Sequence, residues 1–349
     1  MAIPTENIGS VPRPPDLVAA MTRGDTSALP GLFERAVVDT LQALEATGSP
    51  ILTDGEQSKP SFATYPIHGA TNLAPDGVVI PFADGHSRQL PRLTAGPFRY
   101  QTYASSYLAF AMARTDKPVK QAVISASALS LLYPQDGIDG YGREAFLSDL
   151  VDEAEKDIRQ CLAAGAAVVQ IDFTEGRLSL KLDPSGGLLR SFVALNNRVL
   201  DRFSPGEQAK IGVHTCPGGD KDSTHSADVD YAGLLPELFQ HRCGRFYVQL
   251  ASEADPERVL RILAPFATEG RRIFVGVIDP IDPTVETPEQ VRDRVLAAAK
   301  HIPPAHLGTT DDCGFSPFGD DTSTAREIAF AKNEARVEGT RLAAEALGV

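Results

Sequence analysis

The sequence predicts an α/β fold, a (β/α)8 TIM barrel, in a single domain that spans residues 1–349. Short apolar, β-branched segments alternate with helical patterns along the chain, as a parallel α/β architecture requires. There are eight such segments, which is the number of strands in this barrel. Nearly every predicted strand ends in a residue capable of polar chemistry. In a barrel of this class those ends meet at one mouth, where active sites are built.

The predicted strands are placed by their apolar runs and by the polar residues that end them. In chain order they end within Ile8–Ser10, Ile51–Glu56, Ala122–Ser125, Val168–Asp172, Ile211–His214, Phe246–Gln249, Phe274–Asp279 and Leu307–Asp311. Residues 59–105, between the second and third strands, break the alternation because they are rich in Pro and Gly. We predict an inserted hairpin or lid there.

Three helices between or after the strands have clear sequence patterns. Apolar residues from Phe146 to Leu162 recur at three- and four-residue spacing, and the pattern stops at Gly165. Thr287–Gln290 supplies an N-cap, a proline and a capping-box glutamine before the next helix. Thr324–Glu327 predicts a second capping box, which opens a long carboxy-terminal helix.

Composition excludes several classes of protein. The net charge of −13, without a Lys/Arg cluster, argues against nucleic acid as a partner. No apolar run is long enough for a membrane span, and the amino terminus lacks the pattern of an export signal, so we expect a cytoplasmic protein without membrane contact. Four scattered cysteines do not form a secreted disulfide framework.

The strongest chemical pattern is a cluster of soft metal ligands at predicted strand ends. Residues two apart in an extended segment point the same way, so His214 and Cys216 can reach one ion, while Cys313 arrives from another strand end. Three such ligands leave a tetrahedral position open, as in catalytic zinc sites. The alternative, that His214 and Cys216 are packing residues, is disfavoured because they lie at a strand end and are matched by a cysteine at another. Cys161 and Cys243 are predicted to be structural.

The order of these segments resembles cobalamin-independent methionine synthases over almost the whole chain. The residues that carry the resemblance are Ile8-Gly9-Ser10, Asp54-Gly55-Glu56, Gln170-Ile171-Asp172, His214-x-Cys216 and Asp312-Cys313-Gly314. The resemblance implies a zinc ion at the barrel mouth, held by His, Cys, Glu and Cys, that binds homocysteine as a thiolate. It identifies His214, Cys216 and Cys313 as three of the ligands. Gln249 stands where the family has its glutamate and is our candidate for the fourth.

The same resemblance implies a binding site for the amino-acid part of homocysteine. Ser10, Glu56 and Asp172 match the residues that hold it, and the two carboxylates suit an ammonium group. Two alternatives remain open at this point: Asp172 could only cap the following turn, and Glu56 could be a solvated loop charge. His68 and His225 lie in predicted loops and could approach the mouth, but we expect them to be solvated.

The chain departs from the family in the half of the site that would hold the methyl donor. No histidine follows the seventh strand, which reads Ile278–Pro283, and we take Asp279 there as the candidate catalytic residue. The chain has no tryptophan to stack on a pterin. With Gln249 in place of a glutamate the zinc site would be neutral, so we expect a donor more reactive than polyglutamylated methylfolate.

These patterns predict a zinc-dependent thiol S-methyltransferase that acts on a homocysteine-like thiol, as in methionine biosynthesis. The donor would be methyltetrahydrofolate or another methyl or alkyl compound. Free thiols have a pKa near 8.5, and zinc coordination stabilises the reactive thiolate. Three alternatives remain: thiol addition to an epoxide, as in epoxyalkane:coenzyme M transferases, non-catalytic zinc binding, and metal-dependent hydrolysis. The last two are disfavoured by the open, thiolate-rich ligand set.

Overall fold

A computed structural model of the chain describes residues 3–349. The helices, in chain order, are α1 (Pro15–Arg23), α2 (Leu29–Ala46), α3 (Ser105–Met112), α4 (Ala126–Ser130), α5 (Arg143–Ala163), α6 (Glu175–Leu182), α7 (Gly187–Leu200), α8 (Pro205–Gln208), α9 (Tyr231–Leu238), α10 (Pro256–Leu263), α11 (Pro288–Ala299) and α12 (Arg326–Leu347). The strands are β1 (Leu73–Ala74), β2 (Val79–Pro81), β3 (Ser87–Gln89), β4 (Arg92–Leu93), β5 (Lys120–Ile124), β6 (Val168–Asp172), β7 (Ile211–Thr215), β8 (Gly219–Asp220), β9 (Ser223–Thr224), β10 (Arg245–Val248), β11 (Arg272–Ile278) and β12 (Leu307–Asp311). Short 3-10 helices span Tyr65–Ile67 and Ala264–Phe266.

Six parallel strands form the main sheet, in the order β12-β11-β10-β7-β6-β5. At one edge Thr5 pairs with Thr309 of β12, and at the other Leu52 pairs with Val119 beside β5. The two added segments meet each other, because the backbone N–H of Val11 donates to the carbonyl of Gly55 at 3.1 Å. The two segments thus extend the six-stranded sheet at its edges through isolated bridges and meet through one hydrogen bond, and the predicted (β/α)8 fold class is confirmed.

The first two members of the barrel are shorter than the sequence predicts. Each pairs through a single bridge instead of a ladder. Pro4 and Pro12 lack N–H donors, which limits pairing on either side of the first segment. The second segment ends where Gly55 and Glu56 both adopt positive φ, 66° and 56°, and turn the chain out of the extended conformation.

The outer helices bury the faces that the sequence predicts, with one correction at a helix start. Helix α5 buries Phe146 and Ile158 on its barrel side, and α11 begins with the predicted capping box between Thr287 and Gln290. The predicted box at Thr324 is wrong. The N-cap of α12 is Ala325, whose side chain has no acceptor, so the N-cap makes no side-chain hydrogen bond.

Residues 73–93 form two antiparallel ladders between the second barrel segment and β5. Strand β1 pairs with β4, and β2 pairs with β3 at the outer end. We call this segment the lid hairpin. Its tip touches the β8–β9 turn at the barrel mouth, where the N–H of Ala83 donates to the carbonyl of Thr224 at 2.9 Å. No helix in residues 3–349 combines the length and hydropathy of a membrane span.

Candidate metal centre and substrate cavity

The centre of the site is built by β7 and by the turn after β12. His214 lies on β7 and Cys216 follows that strand directly, so alternation sends both side chains the same way. Cys313 comes two residues after β12 ends. One ligand atom from each of these three residues lies within 4.8 Å of the others, and the two sulfurs are 3.0 Å apart. In the described part of the chain, this is the one such group of three or more His, Cys, Asp or Glu side chains.

The chemistry of this cluster fits a soft divalent metal. All three side chains are buried, and neither ring nitrogen of His214 has a hydrogen-bond partner within residues 3–349. Burial raises the pKa of Cys216, whereas the hydrogen bond from Cys216 lowers the pKa of Cys313 well below its usual range. Two sulfurs and an imidazole are a ligand set that zinc prefers.

Asp312 holds the Cys313 segment against the end of β10. Its carboxylate accepts hydrogen bonds from the N–H groups of Leu250, Ala251 and Ser252, at 2.7–2.9 Å. A Cβ on Gly276 would lie 1.7 Å from the Asp312 Oδ1 atom, so glycine is required at that position of β11. Cys313 is consequently fixed relative to the neighbouring strand by buried hydrogen bonds.

Gln249 follows β10, but other side chains already occupy its amide. Its Oε1 atom accepts hydrogen bonds from Arg177 Nη1 at 3.1 Å and from the Tyr231 hydroxyl at 3.3 Å. Its Nε2 donates to Ser252 Oγ at 2.6 Å. The oxygen is the only good metal ligand in this side chain, and to bind an ion it would have to give up these partners. Gln249 as fourth ligand therefore remains a prediction.

Ser10, Glu56 and Asp172 line one cavity of about 420 Å³ together with His214 and Cys313. Ser10 Oγ accepts a hydrogen bond from the N–H of Ser316 at 3.2 Å. Asp172 is buried and accepts a hydrogen bond from Gln170, and burial raises its pKa to about 6. The structure thus brings the three predicted substrate residues to the same cavity as two of the predicted metal ligands.

Glu56 is buried and paired, and is not a solvated loop charge. Lys59, which the sequence reading did not single out, donates from Nζ to Glu56 Oε1 at 3.0 Å and to the carbonyl of Ala122 at 2.9 Å. Burial alone would lower the pKa of Lys59, but the carboxylates of Glu56, Asp54 and Asp172 together outweigh burial and raise that pKa. Glu56 also has a φ of 56°, which non-glycine residues adopt mainly where the surrounding structure enforces it.

The structure does not bring Asp279 to the cavity. Its carboxylate accepts a hydrogen bond from the N–H of Ile281 at 3.0 Å and so closes the turn after β11. Its backbone carbonyl accepts from Lys332 Nζ at 2.9 Å. Asp279 is not among the residues that line the cavity. The catalytic role of Asp279 therefore remains a prediction.

The lid hairpin adds residues that sequence reasoning missed. Arg88 donates from Nε to Asp220 Oδ2 at 2.5 Å and from Nη1 to Asp320 at 3.0 Å. Its guanidinium lies 4.1 Å from the centre of the Phe318 ring. Phe82 lies at the tip of the hairpin, and Phe82, Arg88 and Phe318 all line the cavity. The hairpin is thereby fastened over the mouth.

Two further cavity residues were missed or misjudged. His225 is buried, although we expected it to be solvated, and burial lowers its pKa to about 4. Glu175 opens α6 three residues after Asp172, and burial raises its pKa to about 7. Its position in the loop after a barrel strand was the one indication available in the sequence, because such loops form the mouth.

Comparisons with known proteins point to one family. The family model described as "Cobalamin-independent synthase, Catalytic domain" matches residues 85–333. A methionine synthase of Saccharolobus solfataricus is 21% identical over 99% of this chain and 96% of its own length. A 5-methyltetrahydropteroyltriglutamate–homocysteine methyltransferase of Nitratidesulfovibrio vulgaris is 24% identical over 89% of this chain, which corresponds to 38% of that longer protein.

Solved structures give the same fold. The B12-independent methionine synthase from Shewanella sp. W3-18-1, in complex with selenomethionine, has a TM-score of 0.80 at 20% identity and covers 99% of both chains. A putative vitamin-B12 independent methionine synthase from Listeria monocytogenes has a TM-score of 0.71 at 20% identity and covers 98% of both chains. At this level of identity the likeness establishes the fold alone.

Proposed function

The chain belongs to the family of cobalamin-independent synthase catalytic domains, and from that premise we propose that it is a zinc-dependent thiol S-methyltransferase. The observation that carries the proposal is the buried group of His214, Cys216 and Cys313, of which His214 and Cys313 line the cavity. When bound there, zinc would stabilise the thiolate of an incoming substrate at neutral pH. The names of the relatives, methionine synthase and homocysteine methyltransferase, support homocysteine or a similar amino-thiol as the acceptor.

The cavity residues supply binding and orientation for such a thiol. Asp172 is buried and no cation pairs with it in the described part of the chain, so it is free to hold an ammonium group. Glu56 is already neutralised by Lys59, and we assign it the role of fixing this side of the cavity. Ser10, whose hydroxyl lies at the same mouth, would contact the carboxylate end of the acceptor.

The lid hairpin would keep water away from the reacting atoms. Arg88 ties it to Asp220 after Cys216 and to Asp320 after Cys313, so closure of the lid and assembly of the metal-binding turns depend on the same contacts. Excluding water strengthens electrostatic interactions at the site and protects the thiolate from competing protons. We propose that the lid opens to admit substrates and closes before transfer.

The test is metal analysis followed by zinc-edge X-ray absorption, with and without homocysteine. We expect about one zinc per chain, held by one nitrogen and two sulfur ligands from the protein, and an additional sulfur ligand when the thiol is added. Mercaptoethanol at the same concentration is the control for unspecific thiol binding. Zinc that keeps an unchanged ligand set in saturating homocysteine would overturn the proposal.

A further inference from the structure

The imidazole of His86 connects the tip of the lid hairpin to the barrel mouth. Its Nδ1 atom lies 2.6 Å from Asp84 Oδ1 in the same tip, and its Nε2 atom lies 3.0 Å from Asp220 Oδ2. Asp220 lies on β8 at the mouth, is buried, and is 134 residues away from His86 along the chain. Each ring nitrogen of His86 thus faces a carboxylate oxygen.

Both contacts can be hydrogen bonds at once if His86 is protonated. A neutral imidazole has one N–H and one lone pair, whereas an imidazolium donates from both nitrogens, and an ionised carboxylate can only accept. Desolvation acts to raise the pKa of Asp84, but contacts with His86 and Ser223 outweigh it and lower that pKa. Asp220 also accepts hydrogen bonds from Nε and Nη2 of Arg88, as an ionised carboxylate does. In the neutral form of His86, one ring contact would place a lone pair against a carboxylate oxygen.

The charges of this junction balance when His86 is protonated. Three carboxylates meet two cations there, Asp84, Asp220 and Asp320 on one side and Arg88 and Lys221 on the other. A proton on His86 supplies the third positive charge. Asp321 is a further carboxyl group whose charge interacts with that of Asp220, so it also favours a positive His86. The junction therefore attracts a proton to this side chain.

Phe82 connects the His86 ring to the cavity. The two rings stack with 4.3 Å between their centroids and an angle of 15° between their planes. Phe82 is buried, lines the cavity and also packs edge to face on His225. His225 adds no charge here, since burial lowers its pKa to about 4. An aromatic face attracts a cation, so a proton on His86 strengthens the stacking as well as the two hydrogen bonds.

We propose that protonation of His86 closes the lid hairpin over the cavity and that loss of this proton loosens its tip. The proton comes from solvent, and no covalent bond other than the N–H bond changes. Because the closed lid takes up a proton that the open lid does not hold, closure must weaken as the pH rises. Histidine is the side chain whose charge ordinarily changes between about pH 5 and pH 8. Access to the cavity is therefore sensitive to pH near neutrality.

Other contacts of the tip do not depend on this proton. The N–H of Ala83 donates to the carbonyl of Thr224 at 2.9 Å, and the N–H of Asp84 donates to Ser223 Oγ at 3.2 Å. Arg88 keeps its pair with Asp220 at any pH near neutrality. A neutral His86 therefore loosens the tip without releasing the hairpin. One lost charge-assisted hydrogen bond at a partly exposed side chain should change the closing equilibrium by about threefold to tenfold.

Hydrogen exchange of the full chain at about pH 6 and about pH 8.5 tests this inference. Protection factors are compared, because they remove the intrinsic acceleration of exchange with pH. In the parent, protection of residues 79–89 should fall by about threefold to tenfold from the lower to the higher pH, while that of α5 stays constant. His86→Gln can donate one hydrogen bond but does not titrate. Its tip should show the lower protection at both pH values.

His301→Gln is the matched control, because His301 forms a similar pair with Glu257 outside the lid and the cavity. It should show the same pH dependence of the tip as the parent. If His86→Gln does not fold, His86→Arg carries a permanent charge and should keep the tip protected at both pH values. Equal protection of the parent tip at the two pH values, or a loss with pH that persists in His86→Gln, would overturn the inference. The measurement needs no added thiol or methyl donor, so its outcome is independent of the proposed function.

Discussion

The sulfur atoms of Cys216 and Cys313 lie 3.0 Å apart, although 97 residues separate them in the chain. Two thiols at this distance, beside the imidazole of His214, are expected either to share a metal ion or to oxidise. We predict that Cys216→Ser and Cys313→Ser each lose the zinc found in the parent protein. Metal content by mass spectrometry checks this, with Cys161→Ala and Cys243→Ala as controls, because these two thiols lie outside the cluster.

The same contact predicts what happens to the protein after the metal is removed. Chelation followed by a mild oxidant should consume two thiols per chain and form a disulfide between Cys216 and Cys313, because their sulfurs need to approach by only about 1 Å. The zinc-loaded protein should resist the same oxidant. Counting free thiols, with peptide mapping of the linked pair, measures the result. Equal oxidation rates with and without zinc would contradict a shared metal.

Glu56 and Asp172 are both buried carboxylates at the cavity, but we predict opposite effects when each becomes an amide. Glu56→Gln leaves the ammonium of Lys59 buried without its partner, which should lower the free energy of unfolding by about 3–5 kcal/mol. Asp172→Asn removes a carboxylate whose pKa burial already raises, so stability should be unchanged or higher. Denaturant titrations compare the two variants.

Binding gives the second readout for Asp172. Asp172→Asn should weaken homocysteine binding by about tenfold, roughly one charge-assisted hydrogen bond, while zinc content stays the same. Its affinity for 4-mercaptobutanoate, which lacks the amino group, should not change. If the variant binds both thiols as the parent does, Asp172 does not hold an ammonium group.

Much of this site could be predicted from the sequence, because strand ends in a barrel converge whatever their separation along the chain. That rule placed His214, Cys216 and Cys313 in one group of possible metal ligands, and it placed Asp172 in the cavity beside them. It could not give side-chain direction, which depends on distant partners. Gln249 is held by Arg177, 72 residues away, and the lid is fastened by Arg88 to Asp220, 132 residues away. Asp279 failed to reach the cavity for a local reason, since its carboxylate caps its own turn.

The lid contacts predict how the hairpin can be loosened. Arg88→Lys keeps the charge but loses the paired hydrogen bonds to Asp220 and the stacking on Phe318. We expect hydrogen exchange and proteolysis within residues 73–93 to increase severalfold, and the methyl donor to dissociate faster. Arg92→Lys is the control, because Arg92 makes an exposed pair with Asp76. A lid that stays equally protected in Arg88→Lys would show that backbone contacts alone close it.

Glu175 should make the stability of the protein depend on pH in a defined window. Burial raises its pKa to about 7 from an ordinary value of 4.5, although the hydroxyls of Ser125 and Ser127 act in the opposite sense. The folded state therefore binds a proton more strongly than the unfolded state does. The resulting stabilisation is complete below about pH 4.5 and is lost as the pH rises through about 7.

We therefore predict that the parent protein loses stability relative to Glu175→Gln between pH 5 and pH 8, because a glutamine in the same place does not titrate. This shift in the pKa of Glu175 corresponds to about 3 kcal/mol. By that amount the difference in free energy of unfolding between the parent and Glu175→Gln should change across the window. Urea titrations at a series of pH values measure that difference, and Glu155→Gln serves as the control, because Glu155 pairs with Arg159 and Arg202 outside the cavity. A difference that stays constant across this window would mean that Glu175 is ionised throughout.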